Sequence, residues 1–294
     1  MDPTQLHPAL MQFARDRLEP RLPDRIGDSE DAPRLRALEA RFVEEERAAV
    51  QPLARRVPRD ADAFVRWFDE LLDSGPGQGD PLFPWLAGSA TLAQMKWFLA
   101  QEIAGEAGFD DLVALTQIKM PVQAKLELAR NFWDEMGRGR AVAMHGPLLS
   151  DLARAMDVHA DPEKTVWESL ALANLMVALA LDRRYAYHSI GALGAVELTA
   201  PGRVAQVDRG LARLGIPRAA RRYFTLHATL DLKHSEAWNR EVLRPLVALE
   251  PRAAQAIAEG ALMRLRAGER CFERYRRELR SEPAELAENV AVGP

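Results

Sequence analysis

Apolar residues recur at helical spacing along almost the whole chain. Leu35, Leu38, Phe42 and Ala49, interleaved with Arg and Glu, predict a surface helix over 34–51. Phe64, Val65, Trp67, Phe68, Leu71 and Leu72 predict a second over 60–72. Ahead of both, five prolines within residues 1–33 predict a short helix followed by an irregular arm. Ser74 to Pro84 is dense in Gly and Pro and reads as a loop. The predicted helices then lengthen. One runs over 91–118 behind a Thr91 cap, one over 121–135 entered through Pro121, and one over 141–156 beyond a break at Met136-Gly-Arg-Gly-Arg140. A polar connection over 157–165 leads to an Ala- and Leu-rich run predicting one helix over 166–196, which ends near Glu197 before Thr199-Ala-Pro-Gly202. Helices over 203–214, 217–243 and 251–280 follow, with a connection from Arg244 to Pro251 and a frayed tail from Ser281. No stretch alternates with the strand period of two, and β-branched residues are sparse, so the expected fold is an all-α bundle.

Composition narrows the function. A chain of 294 residues, 48% hydrophobic, can bury a substantial core. The expected division is an N-terminal helical extension over 1–85, a bundle over 86–280 and a flexible tail over 281–294. No apolar run approaches the roughly 18 residues of a membrane span, and residues 1–30 mix charge and proline unlike a secretory leader. A net charge of −4 with no basic stripe argues against nucleic acid as a partner. Cys271, the single cysteine, cannot form an internal disulfide, which agrees with a cytoplasmic setting.

The candidate chemistry centres on residues 223–238. In a helix, His227, Asp231 and His234 stand at i, i+4 and i+7, within roughly 60° of one another. Two imidazoles and a carboxylate on one face suit a borderline or hard metal ion such as Fe or Mn. A bundle site draws further ligands from facing helices. Glu135 and His145 flank the glycine-containing break, which can turn both toward one cavity. Glu197 closes the long apolar run. Glu102 and Glu106 are i, i+4 on the 91–118 helix, and either can reach inward. Glu135, Glu197, Asp231 and one of that last pair supply four negative charges, which balance two buried divalent cations, with His145, His227 and His234 as nitrogen donors. His7, His159 and His188 have no such pattern around them and read as structural. Arg138, Arg140, Arg183 and Arg184 could pair with a substrate carboxylate, but arginines near helix ends more often serve solvent and the helix dipole, and that is the expected reading.

These spacings resemble the haem-oxygenase-like diiron oxidases, the iron-containing redox enzyme family. The late His-x3-Asp-x2-His is matched by His227, Asp231 and His234, the Glu of the preceding helix by Glu197, and the earlier Glu and His by Glu135 and His145. The first-helix Glu is matched by Glu106 or Glu102, with only the loop length favouring Glu106. The resemblance spans about residues 90–275. It implies a haem-oxygenase-like helical bundle binding two Fe2+ ions, with O2 as co-substrate. It also implies oxidation of an amino-acid-like or fatty-acid-like small molecule by N-oxygenation, desaturation or C–C cleavage, with an external electron donor available to it. Glu135, His145, Glu197, His227, Asp231 and His234 would then form the catalytic centre. The residues ahead of the bundle could form a lid, a homodimer contact or an accessory helical layer. Ferritin-like diiron proteins fit less well, because no Glu here is followed three places later by His. True haem oxygenases lack a counterpart to their first-helix histidine in 91–118. A thiaminase-like hydrolase would need Cys271 as nucleophile, among Arg and Glu of the last helix. A non-catalytic helical interaction module is the alternative from outside enzymology.

Overall fold

A computed structural model describes residues 1–22 and 29–281. Most of the predicted tail and residues 23–28 of the N-terminal arm lie outside the described residues. Among those described, the regular elements are helices.

Three helices form the N-terminal region. In α1 (Pro3–Leu18), Asp2 caps the first turn and His7, Leu10, Phe13 and Ala14 make the buried face. Next come α2 (Ala32–Ala54) and α3 (Ala61–Ser74), the latter with Asp60 accepting from Ala63 N at 2.9 Å. The extension has no core of its own. Leu10, Phe42 and Phe64 pack in one apolar cluster with Leu175, Leu193 and Ile257.

Several predicted boundaries move. The Gly-Pro loop gives way early to α4 (Leu82–Gly88). The single helix expected over 91–118 is two, α5 (Leu92–Ala104) and α6 (Phe109–Thr116), parted by a turn in which Gly108 adopts φ of +73°. Helix α7 (Val122–Glu135) and helix α8 (His145–Met156) flank the expected break. The 166–196 run also divides, because the Asp182 side chain accepts from Arg184 N at 2.9 Å and closes α9 (Trp167–Leu181).

The helix expected to end near Glu197 continues instead, as α10 (Ala186–Arg213), straight through Pro201. An internal proline costs a helix roughly 3 kcal/mol. Buried Leu198, Val207 and Leu211, worth about 1.5–3 kcal/mol each, outweigh it. Helix α11 (Arg222–Ala237) runs through a π-helical stretch, Trp238–Leu243, into α12 (Arg244–Leu249), where a connection was expected, and α13 (Ala253–Ser281) closes the described chain. The long helices α10 and α13 cross with their backbones touching. A Cβ on Gly191 would stand 1.8 Å from the Ile257 carbonyl oxygen, and one on Gly260 1.8 Å from that of His188. Only glycine fits at either position. No helix among the described residues is long and apolar enough to cross a membrane.

Candidate metal centre

Four elements deliver the site, and the break between α7 and α8 decides its shape. Gly137, Arg138 and Gly139 are all left-handed, with φ of +60°, +53° and +79°. A Cβ at Gly137 would lie 2.5 Å from the Ala143 carbonyl carbon, so that position needs glycine for both space and backbone. The reversal puts Glu135, the last residue of α7, against His145, the first of α8, with Oε2 to Nδ1 at 2.8 Å. Helix α11 supplies His227, Asp231 and His234 on its buried face, and α10 supplies Glu197, which is 1% exposed.

Five of the expected residues come together as two groups that share Glu135, and Glu197 stands beside the second. Its Oε2 faces His145 and His227, whose Nε2 is 3.5 Å away. Its Oε1 faces His234 Nδ1 at 3.8 Å, and Asp231 completes that second group. Ligand atoms within each group lie within 4.8 Å of one another. Glu197 Oε1 stands 3.4 Å from His234 Nδ1 and accepts from Asn131 Nδ2 at 2.5 Å.

Each imidazole has one nitrogen committed outward and one turned inward. His227 Nδ1 donates to the Tyr223 carbonyl at 2.7 Å, leaving Nε2 for the centre. His234 Nε2 donates to Asp134 Oδ2 at 3.2 Å, leaving Nδ1 inward. His145 Nε2 lies 3.3 Å from the Tyr223 hydroxyl and 3.8 Å from Glu106 Oε1, leaving Nδ1. Outer partners of this kind fix the tautomer and orientation of metal-ligating histidines. The inward nitrogens of His145 and His227 are 3.1 Å apart and both face Glu135 Oε2, a crowding that needs a proton or a cation to hold it. Asp231 Oδ1 and His234 Nδ1 are buried with no hydrogen-bond partner among the described residues. Ring nitrogens converging on one carboxylate and orphaned ligand atoms are what a buried cation would satisfy, so the residues fit a metal centre.

The charges carry the same strain. Burial pushes the Asp231 carboxyl up, and the neighbouring Glu197 adds to it, to about 8. Burial works against a charged His234, yet Glu197 more than offsets it and lifts the imidazole to about 9. Burial likewise opposes charge on His145, but Glu106 and Glu135 hold it well above its ordinary value. Glu135 is driven the other way. Against the cost of burial, hydrogen bonds from His145 and His227 keep its carboxyl well below the usual range.

The structure separates the two acids expected to share a face. Helix α5 stops at Ala104. Glu106 therefore sits in the turn, where its Oε1 accepts from the backbone N–H of Gly108 and Phe109 (3.1 Å each) and approaches His145. Glu102 stays on α5 and accepts from the Tyr275 hydroxyl at 3.0 Å. Both line a cavity of about 150 Å³ that also reaches Tyr223, Arg203 and Arg264.

Asp134, Asn131 and Tyr223 were not picked out from the sequence. Tyr223 was within reach, standing four residues before His227 on the same helix face. Asn131 carried no signal.

Residues 96–269 match the family model described as iron-containing redox enzyme. Two crystal structures of a CADD-like protein of unknown function from Nostoc punctiforme, at 2.00 and 1.35 Å resolution, are similar in fold. The first aligns with a TM-score of 0.60 and 18% identity over 74% of this chain and 98% of that one. The second aligns with a TM-score of 0.58 and 18% identity over 76% and 97%. No protein with a curated description matches the chain in sequence.

Proposed function

Because the chain belongs to the iron-containing redox enzyme family, we propose that it is a non-haem diiron oxidase that uses O2 to oxidise a small metabolite. The observation carrying this reading is the double role of Glu135, whose two oxygens face two separate ligand groups. His145 and His227 would hold one ion and Asp231 and His234 the other. Glu135 would bridge them, with Glu197 and Glu106 at the two flanks. Three inward imidazoles and four carboxylates match the charge of two divalent cations. Bound iron would supply the redox chemistry with O2.

What the chain's own residues do follows from their contacts. Asp134 and the Tyr223 carbonyl orient His234 and His227. Asn131 holds one Glu197 oxygen. The apolar walls of the cavity, among them Phe98, Leu149 and Phe224, exclude water from the face where a substrate would meet the centre. Tyr223 lines that cavity with its hydroxyl at His145 Nε2, so it can hold a proton at that atom while a substrate sits beside it. This reading places the protein in the cytoplasm, with an external donor supplying electrons the substrate does not.

Anaerobic Fe(II) titration followed by O2 tests the reading. It expects about two irons per chain and a transient visible absorbance, with consumed metabolites identified by mass spectrometry. A protein that takes up no iron overturns it.

A further inference from the structure

The cavity beside the centre carries charge that an apolar pocket does not need. Most of its wall is hydrophobic, but Glu102, Glu106, Arg203 and Arg264 also face it. Glu106 is committed to two backbone N–H groups and to His145. That leaves one carboxylate, Glu102, for two guanidinium groups, and its Oε1 already accepts from Tyr275.

Among the described residues neither arginine meets an acid in a salt bridge. Arg203 donates from Nη2 to Thr199 Oγ1 at 2.8 Å, and its guanidinium stands 5.5 Å from the Phe272 ring centre and 5.9 Å from that of Phe83. No salt bridge joins it to an acid among the described residues. Arg264 makes neither a hydrogen bond nor a salt bridge among the described residues. It shares with Arg203 the neighbourhood of Phe272, since a Cβ on Gly268 would meet Arg264 Nη1 at 2.9 Å and the Phe272 ring at 3.6 Å. Two unpaired guanidinium groups packed among phenylalanines are costly unless an anion joins them. Burial, together with the charge of Arg264, pushes Arg203 down to about 9, and an arriving anion would relieve both effects.

We propose that Arg203 and Arg264 receive the carboxylate of the substrate, while its apolar remainder lies against Phe83, Phe98, Leu149 and Phe224 and ends near Tyr223 and His145. The guanidinium fork matches a carboxylate in bidentate geometry, which an alcohol or amine cannot reproduce. A cavity of about 150 Å³ sets the substrate as a short acid. The assignment rests on the oxidase reading for the word substrate, while the binding site itself does not depend on iron.

Calorimetric titration with hexanoate, 1-hexanol and hexylamine, on the full chain with and without Fe(II), tests it. Hexanoate should bind at least tenfold more tightly than hexanol, with hexylamine weakest, and it should do so in the iron-free protein too. Arg264→Gln and Arg203→Gln should each weaken hexanoate at least tenfold and leave hexanol unchanged. Glu102→Gln, which removes the competing negative charge, should tighten hexanoate severalfold, a gain that misfolding cannot imitate. Equal binding of hexanoate and hexanol overturns the assignment. So does hexanoate binding that requires Fe(II) and ignores both arginine variants, because the carboxylate would then be held at the metal centre. A protein that takes up no iron yet binds hexanoate through Arg203 and Arg264 would overturn the oxidase reading and leave this site standing.

Discussion

Two buried polar networks lie in this bundle, and they are built on opposite principles. In one, the Glu259 carboxylate on α13 is met from several sides, with Oε1 accepting from Gln255 Nε2 (2.8 Å) and Oε2 from Arg47 Nε (2.8 Å) and His188 Nε2 (2.9 Å). It ties α2, α10 and α13 together, and Glu259 is held down to about 2, because its hydrogen bonds to His188, Gln255 and Arg47 outweigh burial. In the other, Glu135, Glu197 and Asp231 crowd three imidazoles with no lysine or arginine paired to them among the described residues, and Asp231 Oδ1 and His234 Nδ1 are left over. In the first network both oxygens of the central carboxylate are met, and only the peripheral His188 Nδ1 is left over. A network that leaves donor atoms unspent at its centre is shaped for something that arrives later.

The sharpest way to break this contrast is to remove the carboxylate at the heart of each. Glu135→Ala should drop iron from about two per chain to nearly none, because both groups lose their common member, and metal analysis after anaerobic loading checks it. Glu259→Ala should leave iron loading intact yet cost about 3 kcal/mol in urea denaturation, by stranding Arg47 and His188.

A buried imidazole outside both networks gives the comparison a pH axis. His7 on α1 stacks on Trp167 and forms no ion pair with an acid among the described residues. Burial, with Arg270 adding to it, holds the ring down to about 4 from its ordinary 6.5. The folded state therefore keeps His7 neutral while the unfolded chain takes up a proton below pH 6.5. Stability should be complete above that value, fall as pH drops toward about 4, and level off beyond it. The loss should be of order 2 kcal/mol, and His7→Gln should flatten that part of a melting-temperature profile. The smallest expected effect separates the two acids of the α5 region. Glu106→Gln should weaken iron binding about tenfold, while Glu102→Gln leaves iron binding unchanged in the same titration.

Spacing within one helix made the α11 triplet legible before any coordinates, since i, i+4, i+7 is a local property of the chain. The break at Gly137 and Gly139 was equally plain, because glycine pairs inside helical patterns have few other uses. What the sequence hid was non-local. Glu259 finds His188 across 71 residues, so nothing near either betrays the pair. The helix through Pro201 was missed because local cost argued for a stop while distant packing argued against one. With it went Arg203, and Arg264, in the middle of α13, carries no local signal of its own. Arg183 was fittingly read as an end-of-helix residue, and it donates to the carbonyls of Leu115 and Thr116 at 3.2 Å each.

The unbroken course of α10 has a consequence for reaction outcome. Glu197 and Arg203 ride on one rigid rod, six residues apart, or about 9 Å at 1.5 Å of rise per residue. With an acid's head gripped at Arg203, that rod works as a measuring stick. The carbon attacked would be selected by counting bonds from the carboxylate, and adding methylenes to the acid would move the position of oxidation along its chain.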